Sequence, residues 1–519
     1  NTPMGLLKRG LASWWWAALA YLLLVAWPYA FLARAGGAAF VFTGSWMNWP
    51  DGLSYLAKMQ EGLRGAWRFT LPYTAHPGRG AYLYLFYLTL GHVSRWTHLP
   101  LAGVYHAARL LGAFVMVGAL KGFYEAVFSS GTHRPWTSRW AWMWALSGGG
   151  LGWLALLFRG PGYPTLDFWF ADAYPFLGAL TNAHFPWVLA GLFWLLTPAP
   201  RPLGATALVG LGLALLSPFG WSLGAAVLLA EGVLQWSRAA RKSRGLTGWR
   251  LVPWSQLGAL TLAGAPYAMY TFWVTHTDPV LRGWTAQNLT PLGPCWDVLL
   301  SFSPALPLAV LGAWKPHPAR RRLLVWAGVS LGLALLPLGL QRRFLLGWYV
   351  PLVGLAVLGL SRWPVGRRYV LLAWAFSLPT VLLLFAGVVS TAQQHLRGPF
   401  LPRDEARAMA WLEAHTPPDA LVLASPQTGP FIPALAGRRV LYGHPMETVD
   451  AIRWRELTAA FFAGCLDEAF AHRLLREQGV DYIYYGPEEQ ALGGFPLAVG
   501  VTPVIRIGRV VLYRVEAGP

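Results

Sequence analysis

Hydrophobic and polar residues fall along this chain in long blocks rather than in short alternations. An almost unbroken apolar run from Leu11 to Ala33 gives way to a polar stretch, and apolar blocks then recur as far as Val389. A helix needs about 20 apolar residues to cross the hydrocarbon of a bilayer. Blocks at Leu101–Phe128, Trp140–Phe158, Phe185–Leu196, Leu203–Leu234, Leu251–Val274, Trp296–Trp314, Leu323–Leu340, Phe344–Leu360 and Tyr369–Val389 therefore predict helical spans. Ala81–Val93 is apolar but short for a crossing. It reads as a re-entrant or interfacial segment, unless two spans are merged elsewhere. The sequence SPFG at Ser217–Gly220 interrupts one block and predicts two helices, or one kinked at Pro218. The pattern as a whole predicts a polytopic α-helical membrane protein with about 11–13 spans.

Two polar excursions stand out between these blocks. The first, WPDGLSYLAKMQEGLRGAWRFTLPYTAHPGRGAYLYLFYLTLGH at Trp49–His92, holds an early acid, a helix-like run from Leu53 to Leu63 and a Pro/Gly-rich passage. The second, GPGYPTLDFWFADAYPFLGALTNAHFP, holds Asp167, Asp172, Asn182 and His184. Polar backbone and side chains on this scale leave the hydrocarbon for water or for protein partners. Basic residues set the orientation, because Lys and Arg gather on the cytoplasmic side. Lys8 and Arg9, then Arg134 and Arg139, then Arg238–Arg250, then Lys315 with Arg320–Arg322, then Arg362, Arg367 and Arg368 mark inner loops. Loops 34–80 and 160–184, and everything after Thr391, are then expected outside. The run behind Lys8 and Arg9 is long enough to be a span, and is read as one rather than as a cleaved signal.

After His395 the character changes. An amphipathic helix at Asp404–His415, a strand at ALVLAS (Ala420–Ser425), a second at RRVLYG, further helices to Gln478, a strand in VDYIYYG and a hairpin at Ile507–Gly508 predict an extracytoplasmic α/β domain. Residues 1–394 and 395–519 are accordingly expected to be the membrane domain and a terminal α/β domain.

Composition agrees with the pattern. The chain is 55% hydrophobic and 12% charged, and its 30 Trp and 20 Tyr suit belts at two membrane interfaces. A net charge of +19 would suggest nucleic acid in a soluble protein. Here the positive-inside bias accounts for it, and nucleic acid is not an expected partner. Cys295 and Cys465 give neither a metal spacing nor a disulfide framework. No Gly-rich phosphate loop separates a strand from a helix in the terminal domain, which disfavours nucleotide binding there.

The candidate chemistry lies on the polar excursions. Asp51 reads either as a helix N-cap or as an acid at the lipid–water boundary, acting as a general base toward a hydroxyl or as a metal ligand; both can hold together. Asp172, Asn182 and His184 form a second cluster, with Asp167 the weaker acid. Arg342 and Arg343 end a span on the outer side, against the positive-inside trend, and suit a phosphate through paired donors. Their alternative is a headgroup anchor. Lys58 and Arg79 are loop cations whose default reading is solvated surface. Tyr55 and His76 join Lys58 and Asn182 as expected acceptor-site or cavity-lining residues.

The acid in WPDGLSYLAKMQEG, the cluster in DAYPFLGALTNAH and the segment QRRFLLGWYVP (Gln341–Pro351) resemble the pattern of the GT-C superfamily of membrane glycosyltransferases. That superfamily includes protein O-mannosyltransferases, oligosaccharyltransferases and bacterial aminoarabinose transferases. GRRVLYGHPMET (Gly437–Thr448) also resembles a segment of bacterial members without an assigned role. The WWD-type signature of oligosaccharyltransferases is missing, as is the paired DE of many protein mannosyltransferases. The resemblance implies transfer of a sugar, with inversion, from a polyprenyl-phosphate donor to a lipid, glycan or protein acceptor outside the bacterial cytoplasmic membrane. It assigns Asp51 as general base, Arg342 and Arg343 with His184 to the donor phosphate, and Asp172 to the acceptor or to a divalent ion. The residues leave open whether Mg²⁺ or Mn²⁺ takes part; Asp51 and Asp172 are the ligands if one does. The alternatives are a transporter or lipid flippase, for which no internal repeat or matched pair of broken helices is evident, a polysaccharide polymerase or ligase, and a non-catalytic envelope assembly protein.

Overall fold

The computed structural model describes residues 3–129, 134–160, 162, 164–243, 254–314, 318–494 and 500–516. Two compact units divide the chain in interleaved stretches. The first unit takes Asn1–Pro28, His106–Met269 and Thr290–Ser390; the second takes Tyr29–Tyr105, Tyr270–Leu289 and Thr391–Pro519.

The first unit is helical, and with it the chain is a polytopic α-helical membrane protein. Among the described residues, four helices are long and apolar enough to cross a membrane: Trp14–Ala35, Leu101–Phe128, Trp136–Arg159 and Gly366–Gln394. A fifth candidate is the pair Cys295–Ser301 and Ala305–Ala313, bent by 82°. This count is below the 11–13 expected from the apolar blocks. Breakers cut several blocks into pieces shorter than a crossing needs. Ser217, in an extended conformation, separates Leu203–Leu216 from Pro218–Ser243, so the SPFG interruption yields two helices. A 3-10 turn at Gln341–Leu345 and Gly347, with φ 65°, hold the next apolar run to Tyr349–Leu360. That 12-residue helix is buried along its whole length. Of the basic Arg238–Arg250 loop, residues 244–250 lie outside the described residues, as do His133 and Lys315.

The second unit contains the helices Trp49–Leu63 and Leu85–Thr97, packed on each other at glycines. A Cβ on Gly62 would lie 2.1 Å from the Leu88 carbonyl oxygen, and one on Gly91 2.1 Å from that of Met59. Only residues without side chains allow backbones this close. The 13-residue Leu85–Thr97 helix is thus too short to cross and lies against its neighbour, which answers the ambiguity of the Ala81–Val93 run. Strands β1 (Phe40–Phe42) and β2 (Phe400–Pro402) pair antiparallel, Val41 opposite Leu401.

The remaining strands of this unit are β3 (Leu421–Leu423), β4 (Arg439–Val440), β5 (Tyr482–Tyr485), β6 (Val501–Ile507) and β7 (Val510–Val515), in the order β4-β3-β5-β7-β6. β4, β3 and β5 run parallel, and β6–β7 is the expected hairpin, turning at Gly508 with φ 56°. Leu421, Leu423, Phe461, Phe462, Leu475 and Ile483 pack into its core. The Trp49–Leu63 helix and the loop after β4 both belong to this unit, and together they make the candidate site.

Candidate active site

Pro50 is the second residue of the Trp49–Leu63 helix, within the first turn, where its missing N–H costs nothing. Asn48, in the left-handed conformation with φ 51°, is the residue at the cap position. Asp51 is therefore not the N-cap but lies within the first turn, because the helix starts earlier, at Trp49. A carboxylate there is favoured by the helix dipole. Asn48 Nδ2 donates to Asp51 Oδ2, and His444 Nε2 lies 3.2 Å from Asp51 Oδ1.

The backbone around His444 decides which ring nitrogen carries the proton. The N–H groups of Met446 and Glu447 both donate to His444 Nδ1, at 3.1 and 3.2 Å. Nδ1 is thus an acceptor, the ring proton sits on Nε2, and Nε2–H donates to Asp51. Thr448 fixes the turn, its Oγ1 accepting from the N–H groups of Gly443 and His444. His444 is 3% exposed, whereas Asp51 keeps 38% of its side chain exposed. The carboxylate is held from the protein side and presented on the other.

Asp51, Ser54 and Lys58 share one face of their helix, by the i, i+3, i+7 spacing. Lys58 is fully buried, not solvated as a loop cation would be. Its Nζ lies 2.7 and 2.9 Å from the two oxygens of Glu447 and 4.4 Å from the Tyr84 ring centroid. A buried ammonium requires such a partner, and Glu447, three residues beyond His444, supplies it. Ser54 Oγ donates to Glu447 at 2.5 Å. Burial pushes the Glu447 carboxyl up, but the Lys58 ammonium, the neighbouring His444 ring and the hydrogen bonds from Lys58 and Ser54 outweigh it and hold the group below the usual range. Tyr55 stacks on Tyr87 at 4.2 Å, with Lys58 Nζ 5.1 Å from its ring. The Tyr73 hydroxyl is buried and has no hydrogen-bond partner among the described residues. Burial, then Glu447 and Asp51, push it well up. Glu61, on the same helix, accepts from the Thr70 N–H and hydroxyl, both at 3.0 Å, and burial pushes it up to about 7. His76 is exposed in the Pro/Gly-rich passage, its N–H donating to Thr74 Oγ1.

In the first unit the structure joins two stretches that the sequence marked separately. Arg343 Nη1 lies 3.3 Å from Asp172 Oδ2, and the Gly347 N–H donates to the Asp172 carbonyl at 2.9 Å. Arg342 lies over the rings of Trp169 (4.6 Å) and Phe170 (5.5 Å). Asn182 is buried, and His184 precedes the Phe185–Leu196 helix with its ring 4.2 Å from that of Phe185. Asp167 has a different task. It is 1% exposed and accepts from the N–H groups of Gly150 and Gly152 and the hydroxyls of Thr165 and Thr380. It closes the start of the Gly152–Arg159 helix and fastens it to Gly366–Gln394. Burial pushes its carboxyl up against those hydrogen bonds.

Among the described residues no three His, Cys, Asp or Glu side chains gather as a metal site. Around Asp51 the donor set is ill suited to one, since both Glu447 oxygens are held by Lys58 and His444 Nδ1 is bound to backbone. His444, Glu447 and Ser54 were not singled out from the sequence. The signals present were the Asp51–Ser54–Lys58 spacing and the GRRVLYGHPMET segment, which carried no role.

The fold is similar to those of solved membrane glycosyltransferases. The oligosaccharyltransferase AglB of Archaeoglobus fulgidus, solved with an inhibitory peptide and a dolichol-phosphate, aligns with a TM-score of 0.51 and 14% identity over 90% of this chain and 69% of that one. The arabinofuranosyltransferase AftD from Mycobacteria aligns at 0.52 and 19% identity over 98% of this chain, which spans 40% of AftD. ArnT from Cupriavidus metallidurans in the apo state aligns at 0.50 and 12% identity over 97% and 98%. A model of a family of unknown function, DUF6541, matches residues 300–517. No curated protein matches the chain.

Proposed function

We propose that the chain is a membrane glycosyltransferase. It moves a sugar from a polyprenyl-phosphate donor to an acceptor hydroxyl at the outer face of a bacterial cytoplasmic membrane, where the terminal α/β domain also lies. The observation that carries this reading is the Asp51 carboxylate, 38% exposed and held by the Nε2–H of His444 and by Asn48. The fold shared with AglB, solved with a dolichol-phosphate, supports a lipid-linked donor.

In the reaction the acceptor oxygen attacks the anomeric carbon as Asp51 takes its proton. The bond from that carbon to the phosphate oxygen breaks, the lipid phosphate leaves with the electron pair, and the configuration inverts. A general base of this kind contributes roughly 10²–10⁴-fold. His444 donates to Asp51 and so orients the carboxylate. With Nδ1 closed by backbone N–H groups, His444 does not pass the proton on. Arg342 and Arg343, with His184, are assigned to the charge that develops on the leaving phosphate. Asp172 orients Arg343 through their 3.3 Å pair. Tyr55, Asn182, His76 and the Tyr73 hydroxyl are assigned to the acceptor, while Lys58 supports the site through Glu447. No step runs through a metal.

The test is a transfer assay on the full chain in lipid with a panel of polyprenyl-phosphate sugars, following release of polyprenyl phosphate. Acceptor-dependent release with at least one donor is expected. Movement of donor across the bilayer without release would replace this reading by a flippase.

A further inference from the structure

From Ala173 to Thr277 the sequence has a single carboxylate, Glu231, and from Val298 to Arg403 it has none, although arginine recurs through both stretches. In the first unit Glu231, on the Pro218–Ser243 helix, meets Arg321 and Arg322 of the Pro318–Ala334 helix. Arg322 Nη2 lies 2.6 Å from Glu231 Oε2, and Arg321 Nε 3.4 Å from Oε1. Arg201, in the connection before the Leu203–Leu216 helix, completes the group. It lies over the Trp194 ring at 5.4 Å, its Nε donating to the Trp194 carbonyl at 2.9 Å. Burial and the neighbouring charge of Arg322 push Arg201 down to about 10, with Glu231 opposing them, so it is still a cation at neutral pH.

Arg321 and Arg322 thus share one carboxylate, and Arg201 lies within the influence of Arg322 and Glu231, so the three cations and one acid leave a net charge of +2. The other acids of this unit are engaged elsewhere. Glu125 pairs with Lys121, Asp167 holds the Gly152–Arg159 helix start, Asp172 pairs with Arg343, and Asp297 accepts from Leu166 and Ser301. Residues 130–133, 244–253 and 315–317 contain no Asp or Glu. Arg201 Nη2 and Arg322 Nε and Nη1 are buried and have no hydrogen-bond partner among the described residues. Buried cations lacking an anion and buried N–H groups lacking acceptors are both costly. One ligand meets both needs: a phosphate ester, whose oxygens match guanidinium geometry.

We propose that Arg201, Arg321 and Arg322 form a binding site for a phosphate ester, reached from the edge at Arg321, whose side chain is 40% exposed. Basic pockets between membrane helices bind the headgroups of anionic lipids, and a soluble phosphate offers the same chemistry. The site is independent of the proposed transfer reaction, since none of its residues belongs to the Asp51 or Asp172 groups.

The experiment uses the full chain purified in detergent. Retention of phosphatidylglycerol against phosphatidylcholine is read by native mass spectrometry, and thermal stability is read with inorganic phosphate against chloride at equal ionic strength. Wild type is expected to keep phosphatidylglycerol at least about fivefold over phosphatidylcholine, with Arg201→Gln and Arg322→Gln reducing the preference. Glu231→Gln removes the competing carboxylate and is expected to raise it. Stabilisation by phosphate that Arg201→Gln abolishes, without a lipid preference, would support the site and identify a soluble phosphate as its source. Equal retention of both lipids with no phosphate effect would overturn the proposal. So would a Glu231→Gln variant that binds less, because the cluster would then be a structural ion pair. Arg201→Gln and Glu231→Gln keep the test decisive if Arg322→Gln does not fold.

Discussion

Asp51 and Asp167 are both acids in the first turn of a helix, on the two long polar excursions of the chain, and their surroundings are opposite. Asp167 is 1% exposed and has four donors, two of them backbone N–H groups, which leaves its oxygens committed to the fold. Asp51 is 38% exposed and is oriented by Asn48 and by His444. A carboxylate saturated by fixed donors fastens structure. One oriented from behind and open in front is arranged to receive a proton. The contrast separates support from chemistry more sharply than acidity or loop position does.

The largest effect that would test the contrast is on stability. Asp167→Ala leaves two backbone N–H groups and two hydroxyls buried without their acceptor, and should cost roughly 3–5 kcal/mol. Asp51→Asn should change stability by less than about 1 kcal/mol; denaturation of both variants in detergent compares them. If the two cost the same, the distinction drawn here fails. Close behind comes Lys58→Met, which strands Glu447 as a buried charge at a cost of about 3–5 kcal/mol. Lys58→Met combined with Glu447→Gln should recover part of that loss, and a double-mutant cycle measures the coupling.

A smaller effect falls on activity through His444. Removing the donor that orients Asp51 should lower kcat about 10²-fold with little change in KM, since a misplaced group costs on this scale. His444→Gln, which can still present an N–H, should recover part of the loss where His444→Ala does not. Full activity in His444→Ala would detach the histidine from the site. The smallest effect is on the pH dependence of stability. Glu61 is raised to about 7 from an ordinary value of 4.5, so between those values the folded chain holds a proton that the unfolded chain has released. Its stabilising contribution is complete below 4.5 and is lost as pH rises through 7. Glu447 has the opposite sign: its contribution is present above 4.5 and is lost as pH falls through its lowered value. Thermal midpoints of Glu61→Gln should therefore decline less than wild type between about pH 5 and about pH 8.

Much of this was legible in the sequence where the signal was local. Long apolar blocks gave the membrane class, the short strand-like runs ALVLAS and VDYIYYG became β3 and β5, and Asp51 stood out at the head of a polar excursion. Partnerships across the chain were not legible, because periodicity carries no information about distant contacts. His444 is 393 positions from Asp51, and Arg343 is 171 from Asp172. Arg343 and Asp172 had each been marked without the other. Lys58 was misplaced for the same reason, since only the distant Glu447 makes its burial tolerable. The SPFG break was legible because Pro marks it locally, whereas the run read as Phe344–Leu360 is held to Tyr349–Leu360 by the left-handed Gly347, which hydropathy does not register.

The most direct measurement is release of polyprenyl phosphate by wild type and by Asp51→Asn, with folding of both verified by denaturation. The account predicts acceptor-dependent release by wild type and a loss of about 10²–10⁴-fold in a variant of equal stability. Equal release by the two proteins would contradict it and would remove Asp51 from the centre of the reaction.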